Sequence, residues 1–350
     1  MTTAEADVVV IGDGVIGLST AFELARDGIR CHVFGAINHG AASGAAAGLL
    51  APSIGKLRPD VQTFFDASLA LYPSFIDELR SFEPQLRLLK GLIDVSSRES
   101  VPDAARDRVL GANELSQLEP DLAPRPAVFH AGDGAIDNGL LVRALRKAVS
   151  PSCTVSSDDP VIAIDSHPHL GIRTRSGTVL RAKRVVLAAG AWSAGIAGLP
   201  RRLPVAPLKG QMLAVGSTAL RHPVMGDDVY LVPRGSEIAI GATAEHAGFD
   251  ITVDPDAIER LRRSAIQICP SLGDAPVTRT WAGIRPATPD MLPILGADPT
   301  DSRLVYACGH SKNGILLAPA TAQAVAAIIT GKDPSLDIGP FNVRRFLSGE

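Results

Sequence analysis

The chain opens with an unbroken apolar run that leads into a glycine-rich turn. Residues 8–11 are all apolar, with no polar position between them, which predicts a strand buried on both faces, as in a parallel sheet. Leu18, Phe22 and Ala25 then lie at helical spacing, and residues 29–34 indicate a second strand. The pattern therefore predicts a strand, a turn, a helix and a strand in succession, which is the start of an α/β domain.

The rest of the chain mixes long apolar helices with short strands. Helices are predicted over residues 61–82, 113–118, 140–149, 256–268 and 315–330, and either Asp137 or Asn138 is the expected N-cap of the third. Strands are predicted over residues 92–95, 127–130, 161–164, 184–187 and 304–308, with a hairpin over residues 174–179. Residues 209–215, 229–233 and 237–241 indicate a second, antiparallel sheet, whereas residues 281–295 indicate two turns that contain proline.

Three glycines follow the first strand with the spacing G-x-G-x-x-G. Gly12 permits the tight turn, Gly14 lets the backbone approach a pyrophosphate, and Gly17 lets the helix pack closely on the strand. The helix that begins at Val15 and Ile16 points its N–H groups toward the anion. Because the motif lies between a strand and a helix, it predicts a dinucleotide site. The alternative is a glycine-rich turn in another kind of α/β domain.

The acidic residue that usually accompanies this motif is missing. An Asp or Glu at the end of the second strand ordinarily binds the ribose hydroxyls. Here the strand ends at Gly35, and no Asp or Glu follows before Asp60. Either another group or water holds the ribose, or the adenosine half binds less tightly. If the space beside Gly35 is open, the variant Gly35→Glu is expected to tighten cofactor binding.

Two segments are rich in small residues. Residues 40–52 are mostly Gly, Ala and Ser, and the predicted strand at 184–187 runs into Ala-Ala-Gly before Trp192. Small side chains allow a flat ligand to lie against the backbone, so both segments are predicted to form walls of the cofactor site. For the first segment, a close contact between helices is the alternative.

Composition limits the class of protein further. The 350 residues suit two domains, the formal net charge is −3, and no basic block suggests nucleic-acid binding. No apolar run is long enough to span a membrane, and residues 1–7 are too short and too acidic for a signal peptide, so we expect a cytoplasmic protein. The 4 cysteines are far apart in sequence, which indicates buried thiols in a reducing compartment and no metal site.

Four segments carry a more specific pattern. They are residues 45–48 (Ala-Ala-Ala-Gly), 230–234 (Tyr-Leu-Val-Pro-Arg), 281–290 (Trp-Ala-Gly-Ile-Arg-Pro-Ala-Thr-Pro-Asp) and 309–321, which begins Gly-His and continues, two residues later, Asn-Gly-Ile-Leu-Leu-Ala-Pro-Ala-Thr. In this order they resemble the D-amino-acid oxidase superfamily of flavoproteins, and most closely its glycine oxidase branch. The resemblance covers nearly the whole chain.

This resemblance implies a fold and an activity. The expected fold is α/β, with a discontinuous Rossmann-type FAD-binding domain (residues 1–82, 134–204 and 285–350) and an inserted antiparallel-sheet substrate domain (residues 83–133 and 205–284). The expected cofactor is FAD rather than NAD. The expected reaction is hydride transfer from the α-carbon of a small amino acid or secondary amine to flavin N5. The products are an imine, then an oxo acid and ammonia, and peroxide when oxygen is the acceptor.

The resemblance and the glycine motif together give a set of expected FAD contacts. They are Gly12, Gly14, Val15, Ile16, Gly17, Ser43, Ala45, Ala46, Ala47, Gly48, Leu49, Val161, Ala189, Gly190, Trp192, Arg285, Asn313, Gly314, Ile315 and Leu316. The N–H groups of residues 314–316, at the start of the last helix, are expected to stabilise negative charge at flavin N1 and the C2 carbonyl. Sarcosine oxidase relatives attach flavin through a Cys near the motif that contains Arg285. No Cys lies there, so the FAD is expected to be non-covalent.

Three residues are expected at the substrate. The planar guanidinium of Arg285 pairs with both oxygens of a carboxylate and so orients the α-carbon, although a structural pair with Asp290 is the alternative. Tyr230 matches a position of the resembling enzymes at which a tyrosine hydroxyl also reaches the carboxylate. The alternative is that Tyr230 is a tyrosine of the sheet with an exposed tip. Lys312 replaces an Arg of the glycine oxidases and Ser311 an aromatic ring. Lys312 therefore binds a carboxylate, lies near N5 or is a solvated loop lysine, and the two changes allow a substrate larger than glycine.

Two other functions compete with an oxidase. One is a dehydrogenase on the same scaffold, which passes electrons to an acceptor other than oxygen. The other is a protein that binds flavin or another ligand without turnover, to which the missing acid at Gly35 points. The sequence leaves the oligomeric state open, and a homo-oligomer is among the states it allows.

Overall fold

The computed structural model describes residues 5–55, 57–97, 106–166 and 169–347, which form two β-sheets and the helices packed on them. The first sheet contains β1 Glu5–Ile11, β2 Cys31–Phe34, β7 Thr154–Ser156, β8 Val161–Asp165, β9 Gly171–Thr174, β10 Val179–Leu187, β16 Ile294–Ala297 and β17 Leu304–Cys308. The second contains β3 Leu49–Leu50, β4 Leu88–Asp94, β5 Asp107–Leu110, β6 Ala127–Ile136, β11 Ala206–Gly216, β12 Val224–Met225, β13 Tyr230–Arg234, β14 Glu237–Gly241 and β15 Val277–Ala287. The helices are α1 Val15–Arg26, α2 Ala42–Ala45, α3 Pro59–Leu79, α4 Ala112–Leu118, α5 Asn138–Val149, α6 Pro255–Ile268 and α7 Gly314–Ile329.

The first sheet has the parallel centre that the sequence predicts. Its strands β17, β10, β1, β2 and β7 are neighbours in that order and run parallel. Val9 and Val10 are both fully buried, Val10 in the core beneath α1 and α7 and Val9 in the core on the opposite face. Burial on both faces explains why the first strand shows no alternation, and the predicted Rossmann-type fold is confirmed.

Helix α3 holds the start of α7 in place. The Ser68 hydroxyl donates a hydrogen bond of 2.7 Å to the Leu316 carbonyl, and the Tyr72 hydroxyl donates to the Ile315 carbonyl. Ser68 and Tyr72 are completely buried, and Phe64 and Phe65 of the same helix are at most 2% exposed. The N-terminal end of α7 is therefore fixed against a rigid core.

The second sheet is mostly antiparallel. Strands β15, β11, β14, β13 and β12 follow one another in that order with antiparallel pairing, and β12 pairs in parallel with β4. The predicted strands at residues 209–215, 229–233 and 237–241 correspond to β11, β13 and β14. The predicted antiparallel sheet is confirmed, and it is larger than the sequence indicated.

One prediction about this sheet is only half right. The first of the two turns expected in residues 281–295 is absent, because β15 continues to Ala287 and pairs with β11 from Val277 onward. The second is present, since the Met291 N–H donates to the Thr288 carbonyl at 3.0 Å across a turn that contains Pro289. Pro286 is tolerated because β15 is the edge strand of the sheet, where a missing N–H breaks no ladder on the outer side. β15 crosses the expected domain boundary at residue 285, and the division into two domains stays a prediction.

No described helix has the length and apolarity needed to cross a membrane.

Candidate active site

A cavity of about 1030 Å³ opens where the two sheets face each other. On one side it is lined by the carboxyl ends of β1, β2, β10 and β17, which is the edge where open α/β sheets bind ligands. On the other side it is lined by Leu208, Gly210 and Met212 of β11, Tyr230 of β13 and Arg285 of β15. The cavity therefore joins the predicted nucleotide site to the second sheet.

The glycine turn forms one end of this cavity. Gly12 has a φ of +116°, and a Cβ at this position would lie 2.2 Å from the carbonyl oxygen of Ala188. A Cβ on Gly17 would lie 1.8 Å from the carbonyl oxygen of Gly12, so both glycines are required for the close packing of turn, helix and strand. Val15 begins α1, and its N–H donates to Ser43 Oγ at 2.9 Å.

The small-residue segment forms a wall that is tied to the second sheet. Trp281 Nε1 donates to the Ala45 carbonyl at 3.0 Å, and Arg234 Nη2 donates to the Ala46 carbonyl at 2.7 Å. A Cβ on Gly283 would lie 2.4 Å from the Cβ of Ala45, so β15 and the segment touch directly. Small side chains thus serve both the cavity wall and its attachment to the sheet.

The start of α7 also faces the cavity. Asn313, Gly314 and Ile315 line it, and the N-cap Asn313 makes no side-chain capping bond. The first N–H groups of a helix have no acceptor within the helix, so this end carries partial positive charge. His310 lies just before it and shares a hydrogen bond of 3.1 Å with Thr321 Oγ1. Burial lowers the pKa of His310 to about 3, so its ring is neutral at physiological pH.

Arg285 extends from the edge strand β15 into the cavity wall. Its Nη1 donates to the Thr243 carbonyl at 2.9 Å, and a Cβ on Gly210 would lie only 2.5 Å from its Nη2. Asp290 instead pairs with Arg345 at 2.7 Å. The alternative in which Arg285 pairs with Asp290 is therefore wrong, and the guanidinium has a carbonyl rather than a carboxylate as its protein partner.

Two other residues expected at the substrate line the same part of the cavity. The Tyr230 hydroxyl lies 3.8 Å from Met212 Sδ, and burial raises the pKa of Tyr230 although the charge of Arg285 opposes the shift. The hydroxyl is therefore protonated at neutral pH, and it donates to the thioether of Met212, which is a weak acceptor. Ser311 has a φ of +51° and donates its N–H to the Pro286 carbonyl at 2.9 Å, and the adjacent Lys312 also lines the cavity.

The far end of the cavity contains residues that the sequence analysis did not select. Asp13, the second residue of the glycine motif, accepts a hydrogen bond of 2.9 Å from Arg146 Nη2, and Arg146 Nη1 donates to Ser157 Oγ. All three line the cavity near Gly35. A charged residue inside a glycine motif was the available signal for Asp13, whereas nothing in the sequence marked Arg146 or Ser157.

The cavity brings together the expected residues with two exceptions. Gly17 and Leu316 do not line it, because Gly17 packs against the turn and Leu316 is 2% exposed in the core. All other residues expected at the cofactor or substrate, from Gly12 to Ile315, line the cavity.

The described residues hold no group of three or more His, Cys, Asp or Glu side chains that could bind a metal.

A parallel nucleotide-type sheet, and a cavity that continues from it over an antiparallel sheet, are typical of an enzyme that binds a dinucleotide cofactor beside its substrate. Residues 7–328 match the DAO family, described as FAD dependent oxidoreductase. The chain belongs to this family, and it is an FAD-dependent oxidoreductase.

Individual relatives agree with the family match. Glycine oxidase of Pseudomonas putida is 34% identical over 356 residues, which cover 95% of this chain and 97% of the relative. The crystal structure of glycine oxidase from Geobacillus kaustophilus superposes with a TM-score of 0.90 at 31% identity, covering 97% of this chain and 99% of that one. That of iminodiacetate oxidase from Chelativorans sp. BNC1 has a TM-score of 0.88 at 27% identity, covering 96% and 98%.

The shape of the cavity fits FAD. Its volume of about 1030 Å³ suits a ligand of dinucleotide size. The glycine turn leaves no room for side chains where a pyrophosphate would approach, and the N-terminal ends of α1 and α7 provide two regions of positive potential for an elongated anion.

Proposed function

We propose that the protein is an oxidase of a small amino acid or secondary amine, similar to the glycine oxidases, with non-covalently bound FAD. The observation that carries the proposal is the position of Arg285 at the cavity wall. Its guanidinium donates to the Thr243 carbonyl and interacts with the Tyr230 hydroxyl, and within the described part of the chain it pairs with no carboxylate. A guanidinium of this kind is suited to a substrate carboxylate. Two relatives support a small amine substrate, since they are named glycine oxidase and iminodiacetate oxidase.

The cofactor is held by backbone more than by side chains. We assign the pyrophosphate to the glycine turn and the start of α1, and the flavin to the space between residues 45–49 and the start of α7. Bound FAD supplies the acceptor for a hydride from the substrate α-carbon. The N–H groups at Gly314 and Ile315 stabilise negative charge beside them, because they lie at the positive end of a fixed helix.

The substrate is oriented by three side chains. Arg285 binds the carboxylate with two parallel hydrogen bonds, and the Tyr230 hydroxyl donates a further one, since its pKa is raised and it stays protonated. Lys312 adds positive charge at the same part of the cavity without the fork of an arginine. No general base is required in this scheme, because orientation of the α-carbon is the main contribution of the protein.

The test is anaerobic mixing of the purified holoenzyme with glycine, N-methylglycine, D-amino acids and iminodiacetate, while the flavin absorbance is recorded. We expect bleaching with at least one small amine substrate and peroxide when air is admitted. Bleaching without peroxide would identify a dehydrogenase instead, and no bleaching with any small amine would contradict the proposal.

The assignment of Arg285 is tested separately by Arg285→Ala. Hydrogen bonds to a charged group contribute about 1.5–3 kcal/mol each, so losing two should lower kcat/KM by roughly 10² to 10⁴ while the flavin spectrum persists. Arg263→Ala is the matched control, because Arg263 is exposed on α6 and pairs with Glu259. Equal kinetics in the two variants would remove Arg285 from the substrate site.

A further inference from the structure

The place of the missing ribose-binding acid is filled by another carboxylate. If Gly35 carried a Cβ, that atom would lie 2.1 Å from Cγ of Asp13 and 2.3 and 2.4 Å from its two carboxylate oxygens. The carboxylate of Asp13 therefore occupies the space that the first atoms of an acidic side chain at position 35 would fill. The space that the sequence left open is closed, which removes the basis for expecting Gly35→Glu alone to tighten FAD binding.

The backbone explains why residues 13 and 35 meet. The Gly12 N–H donates to the Phe34 carbonyl at 2.7 Å, and the Gly35 N–H donates to the Ser156 carbonyl at 2.7 Å. These bonds hold the glycine turn against the end of β2, so the residue after Gly12 projects across Gly35. The contact follows from the register of β1, β2 and β7 rather than from a flexible loop.

The carboxylate is held in one orientation. Arg146 Nη2 donates 2.9 Å to Oδ2 of Asp13, and Arg146 is itself fixed by a second hydrogen bond to Ser157. Among the residues that the structure describes, none donates a hydrogen bond to the other oxygen, Oδ1. The Asp13 side chain is 14% exposed and lines the cavity, so Oδ1 is an oriented acceptor at the cavity wall.

A carboxylate at this position is otherwise unfavourable. Asp13 immediately precedes the N-terminus of α1, where an anionic pyrophosphate would bind, so its negative charge opposes that ligand. Arg146 offsets this charge through the ion pair. Packing alone does not explain this partly exposed ion pair, whereas a contribution to cofactor binding does.

We infer that Asp13 replaces the missing acid of β2, and that its carboxylate accepts a hydrogen bond from the ribose hydroxyls of the adenosine half of FAD. Arg146 is a positioning residue, which fixes the carboxylate and leaves one oxygen for the ribose. The inference goes beyond the proposed function, because it concerns only the nucleotide half of the cofactor and holds for any amine substrate or electron acceptor.

The test compares two cofactors in the full-length protein. Dissociation constants are measured by flavin fluorescence for FAD and for an FAD analogue whose adenosine ribose lacks both hydroxyls. The natural chain is expected to bind FAD about 10- to 100-fold more tightly than the analogue, since a hydrogen bond to a charged group is lost. Asp13→Ala is expected to bind both with similar, weak affinity, and Arg146→Met is expected to show an intermediate ratio. Asp7→Asn is the control, because it removes the exposed ion pair between Asp7 of β1 and Lys183 of β10, and it should keep the full ratio.

Steric coupling gives an independent arm of the same test. Gly35→Ala adds a methyl group that displaces the Asp13 carboxylate, so it should weaken FAD binding in the natural chain. It should have little effect in the Asp13→Gly background, where no side chain remains at position 13 to be displaced. The double variant Asp13→Gly with Gly35→Glu should restore the preference for FAD over the analogue, because it returns the acid to β2. If Asp13→Ala discriminates between the two cofactors as strongly as the natural chain does, the inference is overturned. Failure of the natural chain to bind FAD would instead refute the cofactor assignment.

Discussion

A single methyl group on β11 offers a direct probe of Arg285. The variant Gly210→Ala would place its Cβ 2.5 Å from Nη2 and 2.6 Å from Cζ and Nη1 of Arg285. Ordinary contacts of a Cβ begin near 3.4 Å, so the guanidinium must move by about 1 Å. Gly210 has an ordinary strand backbone, and the clashing atoms are the far end of a flexible side chain, so the fold should tolerate the change.

A displacement of this size has a defined kinetic cost. Misplacing a substrate-orienting group by about 1 Å can cost roughly 10² in rate. We therefore expect kcat/KM of Gly210→Ala to fall by about 10², while the flavin spectrum and the urea unfolding midpoint stay close to those of the unchanged chain. Steady-state assays of peroxide formation or acceptor reduction, with the best substrate from the anaerobic panel, measure kcat/KM of the variant and of the unchanged chain.

The matched control lies on the same strand. A Cβ on Gly216 would have its closest contacts at 3.5 Å, with Pro276 and Thr278, so Gly216→Ala should change neither kinetics nor stability. In the background of Arg285→Ala, Gly210→Ala should cause no further loss, because the two changes act through one side chain. If Gly210→Ala and Gly216→Ala have the same kcat/KM, or if the losses add, the placement of Arg285 at the substrate is incorrect.

Three further predictions concern stability and the cofactor. Burial raises the pKa of Asp133 from 3.8 to about 7, so the folded chain binds a proton that the unfolded chain has lost, and stability falls as the pH rises through this window. The free energy of unfolding of Asp133→Asn, measured in urea, should therefore equal that of the unchanged chain near pH 4 and exceed it by up to about 4 kcal/mol at pH 8. If the two free energies change with pH in the same way, the pKa of Asp133 is not raised. Gly17→Ala should lower the free energy of unfolding by about 3 kcal/mol or more, because its Cβ would lie 1.8 Å from the Gly12 carbonyl oxygen. Gly44→Ala is the control and should lower it little, because no atom lies within 4 Å of the added Cβ. Cys308 lines the cavity, and burial raises its pKa to about 12, so the thiol is protonated and is a poor nucleophile for attachment of the flavin. Acid precipitation of the protein should therefore release all flavin into the supernatant. Flavin retained in the pellet would indicate a covalent link.

The fold was largely predictable because its strongest signals are local. The glycine motif lies between β1 and α1 as predicted, and Asp137 caps α5 by accepting the Leu140 N–H at 2.9 Å. Residues 304–308 were predicted as a strand and form β17. In each case the pattern of burial or capping within a few residues determines the element.

The sequence was less informative where pairing between distant strands decides the outcome. Residues 281–295 were expected to form two turns, and Pro289 does lie in one. Pro286 instead belongs to β15, which gains its ladder from β11, some 70 residues earlier, and whose position at the sheet edge accommodates the proline. The same holds for the candidate site. Arg285 could be predicted from its motif, whereas the pair of Asp13 and Arg146 joins residues 133 positions apart, one in the glycine turn and the other on α5.

The contact between residues 13 and 35 also bears on how this sequence arose. An acidic side chain at both positions would need the same volume, because even a Cβ at position 35 overlaps the Asp13 carboxylate. An ancestor with an acid on β2 could therefore acquire Asp13 easily only after that acid had been lost. Relatives are therefore expected to carry an acid at one position or the other, but seldom at both.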